Sequence, residues 1–537
     1  MERDEQLVRH LDKLGVDDKM VMGHPAGLLV LFFTEMWERF SYYGMRALLV
    51  IFLVSSLADG GWEWTRQDAT QLYGLYGFLV YLTPILGGLI ADKITGYRKA
   101  ILIGALMMTL GHASMALEGT HQYFFFIGLA LMVLGNGMFK PNISTMVGQL
   151  YPDNSSKKDA GYTIFYMGIN AGAFLGMLLC GYIGEKIGWH YGFGLAGVFM
   201  FFGMLQFYFA RTYFGRIGLS PKMVAVQGEV FAEDSEDEAD QRVNQVEGVD
   251  DENPKVIRDR LIVIGVLIFF SIFFWLSFEQ AGGSMNIFAL DYTQRVLEGN
   301  AAVTFKWIDA ILTLFPLVIV SLVLYGLAKQ LFKEYPATII ATAISFIIIW
   351  GLGIWKIGRE FTALETEVAA SWFQILNSFF IITLAAGFSK VWEKVWNPSG
   401  PVKFAMGLIL LGFGFVVLAY GAKDIPQGAA TASVSMLWLI AAYFFHTTGE
   451  LCLSPVGLSY VSKLSPKKFI GLVFGLWFAS SAIAHLLGGV LGGLIDKITA
   501  EYSMMHFFGL FAALPWTAAI ILLLISPVLK KMMHGIR

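Results

Sequence analysis

The stretch FTEMWERFSYYGMRALLV (33–50) carries Glu35, Glu38, Arg39 and Arg46, with Tyr42 and Tyr43 between them, inside a long apolar segment. Offsets of 0, 4, 7 and 11 from Glu35 reach Arg39, Tyr42 and Arg46, so these side chains share one face of a helix, flanked by Glu38 and Tyr43. A charge near the centre of a bilayer costs about 2.5–3.5 kcal/mol even on the lenient insertion scale, so four would cost roughly 10–14 kcal/mol. That sum excludes a lipid-facing stripe. The face lines a wet cavity or pairs internally, and Glu35–Arg39 is an i, i+4 pair in the favourable order. An ion-pair network that only fixes packing is the alternative reading.

Further charged and polar groups interrupt later apolar segments. Lys140 lies in GNGMFKPNIS (135–144), Asn170 in FYMGINAGAF, Glu279 and Gln280 in FWLSFEQAGGS (274–284), Asn377 in WFQILN and Glu450 in FFHTTGELCLSPVGLS (444–459). The basic members, Arg39, Arg46 and Lys140, precede the middle of the chain; the acids Glu279 and Glu450 follow it. A site between two halves would be positive on one wall and negative on the other. Such a site suits a zwitterion, its carboxylate meeting Arg46 and Lys140 and its ammonium meeting Glu450. Carboxylates held in a membrane are also natural proton carriers. His446 stands four residues before Glu450, where it either tunes that acid or hydrogen-bonds backbone.

The elements that must carry these residues are membrane helices. The 537-residue chain is 56% hydrophobic and only 15% charged, against about a quarter charged in soluble proteins, and its mean hydropathy is +0.61. Apolar runs long enough to span a bilayer recur along most of its length. Helices are expected near 26–55, 67–92, 97–117, 122–150, 158–187, 190–214, 258–290, 303–328, 337–357, 368–396, 401–420, 429–462, 468–496 and 505–530, an all-α polytopic membrane protein with fourteen spans. The two cysteines, Cys180 and Cys452, form no metal or disulfide framework. The polar opening residues lack the pattern of a cleavable leader, so the first membrane helix is expected to direct its own insertion. Lys93, Arg98, Lys99, Lys157, Lys158, Lys394, Lys403, Lys463, Lys467 and Lys468 fall in alternate loops, which places both termini in the cytoplasm.

An acid–lysine pair recurs at four helix ends: Asp92-Lys93, Glu185-Lys186, Glu393-Lys394 and Asp496-Lys497. From Glu38 to Asp92 is 54 residues, whereas from Glu279 to Glu393 is 114. The excess of about 60 residues is two helices with loops. The expected organisation is a segment 1–25, a six-helix bundle over 26–214, an acidic linker over 215–257, and a second six-helix bundle over 258–532 with a helical hairpin inserted near 303–357. Residues 533–537 form a tail. Repeated halves are a common transporter plan. At the first repeat, GGLIADKITGYRKAILIG (87–104) suits a latch at the cytoplasmic mouth, with Asp92 capping a helix or pairing with an arginine.

Four ordered stretches resemble motifs of the proton-coupled oligopeptide transporter family of the major facilitator superfamily. EMWERFSYYG resembles its E-x-x-E-R-F-x-Y-Y-G motif. GGLIADKITGYRK resembles the superfamily loop motif, with Asp92 and Arg98 as gating residues. DAGYTIFYMGINAGAF (159–174) resembles the F-Y-x-x-I-N motif, and the stretch 449–478 resembles the motif of the tenth and eleventh helices. The resemblance implies the major facilitator fold and proton-driven import of di- and tripeptides or peptide-like molecules by alternating access. It further implies a monomer in the plasma (bacterial inner) membrane, surrounded by lipid, with no cofactor beyond the proton and no nucleic acid. It implies proton coupling by Glu35, Glu38, Arg39 and Glu279, the last paired with Arg46. It assigns peptide contacts to Tyr43, Arg46, Tyr76, Lys140, Asn170, Trp275, Asn377, Glu450, Trp477 and Ser481 or its neighbour Ser480. Three features depart from the family pattern: the hairpin follows helix seven instead of joining the halves, Phe278 replaces a second acid, and His485 stands where asparagine is commoner. A relative carrying nitrate, an amino-acid conjugate or a peptide-like drug is the alternative within transport. Lys140 together with Glu450 argues against nitrate, which has no ammonium. An enzyme would need a nucleophile–base or metal constellation, and no H-E-x-x-H or G-x-S-x-G occurs.

Overall fold

The computed structural model describes residues 2–152, 155–221, 223, 253–466 and 470–536. A short helix, α1 (Glu2–Lys13), and a two-residue strand pair (Met20–Val21 with His24–Pro25) precede the long helices. The first six are α2 (Ala26–Val54), α3 (Arg66–Ile90), α4 (Tyr97–Met115), α5 (Gln122–Gln149), α6 (Ser156–Lys186) and α7 (Trp189–Ala210). Most of the acidic stretch 226–254 lies outside the described residues. The chain resumes with α8 (Pro254–Phe278), a 3-10 turn (Glu279–Gly282) and α9 (Ser284–Asp291). Then come α10 (Gly299–Leu331), α11 (Pro336–Thr362), α12 (Ile375–Lys394), α13 (Gly400–Gly421), α14 (Met436–Leu464), α15 (Ile470–Gly492), the short α16 (Ile495–Glu501) and α17 (Met504–Met532).

Among the described residues, twelve helical segments are long and apolar enough to cross a membrane. The other two long helices are α2, with its four charges, and the 19-residue α4, which opens on Tyr97-Arg98-Lys99. The structure differs from the expected spans in two places that matter. The helix expected over 258–290 breaks at Glu279, where Gly282 and Gly283 let another helix approach: a Cβ on Gly282 would sit 2.1 Å from the Tyr73 hydroxyl. The helix expected from 368 begins instead as a 3-10 turn, Ala370–Gln374.

Small residues bring helices together where lipid supplies no driving force. A Cβ on Gly172 would lie 2.1 Å from the Met36 carbonyl, and one on Gly176 would lie 2.2 Å from that of Phe40, which explains how closely α6 follows α2. Across the halves, Gly74 of α3 meets Gly489 of α15 in the same way. The inserted hairpin, α10 and α11, packs on α2, α6 and α7 although the chain places it between helices of the second half. Thr342 donates to Gln206 Oε1 at 2.8 Å, and Phe346 sets its ring edge-on to Phe33 and Trp37.

The end of the bundle away from the termini is braced between halves. Arg66 at the start of α3 pairs with Asp291 and Asp496, each at 2.7 Å, and donates to the Tyr292 hydroxyl at 2.8 Å. Glu185 accepts from the backbone N–H of Ala370 (2.7 Å) and Ser371 (2.8 Å), and Lys186 pairs with Glu367. Two of the four acid–lysine repeats thus supply interhalf contacts here. At the opposite end the first repeat behaves differently from expectation. Asp92 is exposed and forms no ion pair with Arg98. The Arg98 guanidinium donates to the carbonyls of Gly215 and Ile217, which follow α7 and lack helical partners.

Candidate functional site

A cavity of about 160 Å³ lies between the halves. Arg46, projecting from α2, lines it beside Tyr43; Asn170 and Tyr166 come from α6, Trp275 from α8, Glu279 from the broken turn, Asn377 from α12 and Glu450 from α14. The wall from α2 is therefore basic, and the second half contributes two carboxyls.

The Arg46 guanidinium pairs with Glu279 Oε2 and donates through Nε to the Tyr73 hydroxyl at 2.7 Å. Tyr73 in turn donates to Glu279 Oε2 at 3.1 Å. The break after Phe278 is what turns Glu279 toward α2 and α3, and Gln280 fastens the break by donating to the Gly488 carbonyl at 2.9 Å. Deeper in the first half, Arg39 Nε donates to Glu35 Oε1 at 2.7 Å and lies 3.0 Å from Glu38 Oε2. Asn136 Nδ2 donates to Glu38 Oε1 at 2.9 Å. All three charged residues are buried, and Glu35 Oε2 and Glu38 Oε2 accept no hydrogen bond. In the second half Asn377 Nδ2 donates to Glu450 Oε2 at 2.9 Å and to Thr447 Oγ1 at 3.2 Å.

Of the residues singled out in the sequence, Tyr43, Arg46, Asn170, Trp275, Glu279, Asn377 and Glu450 come together on the cavity wall. Lys140 stands one layer back, its Nζ 4.4 Å from the centre of the Tyr81 ring, which itself faces the cavity. Tyr76, Trp477 and Ser481 do not line it. Tyr76 stacks on Tyr42. Trp477 fills the space over Gly457, where a Cβ would lie 2.3 Å from the ring, and meets Phe404 edge-on. Ser481 lends its carbonyl to His485. His446 lies along the wall, packed on Phe415 at 4.4 Å, with neither ring nitrogen hydrogen-bonded. Sequence reasoning missed Tyr73, Asn136, Tyr81 and Tyr443. Asn136 was legible in principle, since it precedes Lys140 by one helical turn; the tyrosines carry no such signal.

Residues 98–257 and 336–510 match the model of the POT family. The chain belongs to the POT family. Its curated relatives include "Uncharacterized transporter YclF" of Bacillus subtilis, 33% identical over 97% of each chain, and "Peptide transporter YePEPT" of Yersinia enterocolitica, 32% identical over 95% of this chain and 96% of that one. Among solved structures it is similar to a peptide transporter POT in complex with sulfate (TM-score 0.72, 30% identity, 99% of both chains). Another is a POT family transporter in complex with 5-aminolevulinic acid (TM-score 0.73, 26% identity, 98% of this chain and all of that one). As a member of this family the chain is a multi-pass membrane protein, a proton-coupled peptide transporter and not an enzyme. Between the two matched stretches, residues 258–335 hold most of helix seven and all of the inserted α10.

Proposed function

We propose that the chain imports di- and tripeptides with protons, alternately exposing the cavity to either side of a plasma membrane, with both termini in the cytoplasm and the monomer as the working unit. The observation that carries this reading is the cavity with Arg46 on one wall and Glu279 and Glu450 on the other. Curated relatives include a di-/tripeptide transporter of Lactococcus lactis and dipeptide and tripeptide permease A of Escherichia coli. Both charged termini are common to every short peptide, so fixing them tolerates many side chains, while the distance between walls limits length. Arg46 and Lys140 hold the carboxylate, and Glu450, oriented by Asn377, holds the ammonium. Asn170 bonds the peptide backbone; Tyr43 and Trp275 shape the side-chain space. The halves 26–214 and 258–532 rock against each other, joined by the linker 215–257. No cofactor is needed beyond the proton.

Coupling follows from which partner each cation has. A protonated Glu279 releases Arg46 to the peptide, and a protonated Glu38 or Glu35 frees Arg39. Proton and peptide then each favour one arrangement of the halves over the other, which is the thermodynamic requirement for symport. Arg66, with Asp291 and Asp496, closes the outer face in the arrangement described. Purified protein in vesicles takes up labelled dialanine when the outside is acidified; no response to the gradient would end the symport reading. Lys140→Ala weakens dialanine more than its C-terminal amide, whereas equal weakening of both would remove Lys140 from the carboxylate site.

A further inference from the structure

His485 on α15 belongs to the Arg46–Glu279 assembly, and the transport scheme above leaves it idle. Its side chain is 1% exposed. Gly77 of α3 makes room for the ring, since a Cβ there would fall 2.2 Å from Cδ2. Nδ1 lies 2.8 Å from the Ser481 carbonyl one turn earlier, and a carbonyl only accepts, so Nδ1 carries a hydrogen. Nε2 then lies 3.2 Å from Glu279 Oε1 and makes no hydrogen bond in the arrangement described. In a neutral ring that nitrogen would present a lone pair to a carboxylate oxygen. Two acceptors this close repel unless a proton stands between them.

We propose that Glu279 and His485 form a dyad holding one proton between Oε1 and Nε2, and that this dyad, rather than Glu279 alone, is the proton site of the second half. The inference rests on the proposed symport. The surrounding groups fit it. Arg46 from α2 occupies the other carboxylate oxygen, Oε2, together with Tyr73 from α3. Tyr81, also from α3, covers the imidazole at 4.7 Å and has Lys140 of α5 on its ring. Tyr76 of α3 is buried nearby, and Tyr443 of α14 donates to the Ala281 carbonyl at 3.3 Å. No second carboxylate competes for the proton among these described groups.

With the proton on Nε2, Arg46, Glu279 and His485 sum to one positive charge, the complement of a peptide carboxylate. When that carboxylate takes Arg46, the proton passes from Nε2 to Oε1: the N–H bond breaks, an O–H bond forms, and both members of the dyad become neutral. Within the Arg46–Glu279–His485 group, Arg46 is then the only ion left, and the peptide carboxylate pairs with it. When the proton later leaves Glu279 for water on the other side, the carboxylate returns to Arg46 and displaces the peptide.

The test compares the pH dependence of acid-driven dialanine uptake in wild type, His485→Gln, Glu279→Gln and the double variant. Glutamine keeps a donor toward Glu279 but cannot titrate. His485→Gln moves the midpoint to the acid side by about one pH unit, a roughly tenfold loss of proton affinity. The double variant behaves like Glu279→Gln. A His485→Gln profile that superimposes on wild type, or shifts that add in the double variant, overturns the dyad while leaving symport standing. Absence of acid-driven uptake in wild type overturns symport itself. Ring nitrogen NMR of His485 in the intact transporter decides independently of whether the variants fold. A proton-bearing Nε2 at the pH of driven uptake supports the dyad, and a bare Nε2 throughout the range overturns it.

Discussion

Two of the buried charge clusters among the described residues, one in the first half and one in the hairpin, are built to opposite rules. In the first half Arg39 lies between Glu35 and Glu38, and Asn136 donates to Glu38, yet one oxygen of each glutamate accepts no hydrogen bond. In the hairpin, Lys356 pairs with Asp309, Trp372 donates to Asp309 at 3.2 Å, and Tyr182 donates to Glu360 at 2.7 Å. Among the described residues no buried side-chain nitrogen or oxygen of Asp309, Lys356 or Glu360 lacks a partner, and the void beside them is only about 10 Å³. Burying ions is repaid only when geometry and hydrogen bonds are complete. The hairpin meets that condition and acts as a staple between α6 and the start of α12. The first-half cluster leaves acceptor capacity open, which suits the proton-coupling role proposed for it.

The sharpest way to break this contrast is to remove one partner from each cluster. Asp309→Ala strands the Lys356 ammonium and lowers stability by about 3–5 kcal/mol, while Asp309→Leu with Lys356→Met recovers most of it; thermal unfolding in detergent measures both. A small loss in the single variant would mean that water reaches the hairpin site and the staple is wet. Glu38→Gln does the reverse. Acid-driven uptake drops by about 10²-fold, as for a lost proton-transfer group, with an unfolding midpoint close to wild type and with counterflow less affected. Equal loss of driven uptake and counterflow would move Glu38 from coupling to packing.

Outside the helices, Glu118 in the turn after α4 extends the comparison to a single buried carboxyl. Burial pushes it up to about 7 from its ordinary 4.5. The folded state therefore binds the extra proton between those values, so stability falls as pH rises from about 4.5 to about 7 and levels above it. Glu118→Gln flattens that slope in a pH series of unfolding midpoints; an unchanged slope would assign the dependence elsewhere. The smallest effect belongs to the stitch between the hairpin and α7. Thr342→Val removes the bond to Gln206 at about 1 kcal/mol, leaving driven uptake at the wild-type rate. A transport defect there would make the hairpin part of the moving machinery.

Much of the architecture was legible because lipid imposes one rule on every span. Apolar length gave the helices, and the doubled spacing between Glu279 and Glu393 gave the insertion after helix seven. The cost of charge in hydrocarbon pointed to the α2 stripe and to Lys140, Glu279 and Glu450. Legibility failed where a position depends on how helices are rotated and packed. Trp477 sits behind the cavity because Gly457 offers its ring a slot. Arg98 turns from Asp92 because free carbonyls end α7 nearby. The break at Glu279 depends on Tyr73 pressing against Gly282, a contact between residues more than 200 positions apart.

The sequence by itself determined that this chain threads a membrane many times and must hide ionised side chains inside it, because hydrocarbon penalises exposed charge wherever it falls. Only the tertiary structure decided that a hairpin encoded in the second half would clasp the first, and that Glu279 would stand between Arg46 and His485. Those outcomes come from side chains meeting across distant helices, where close packing and hydrogen-bond geometry choose the partners and no local periodicity records the choice.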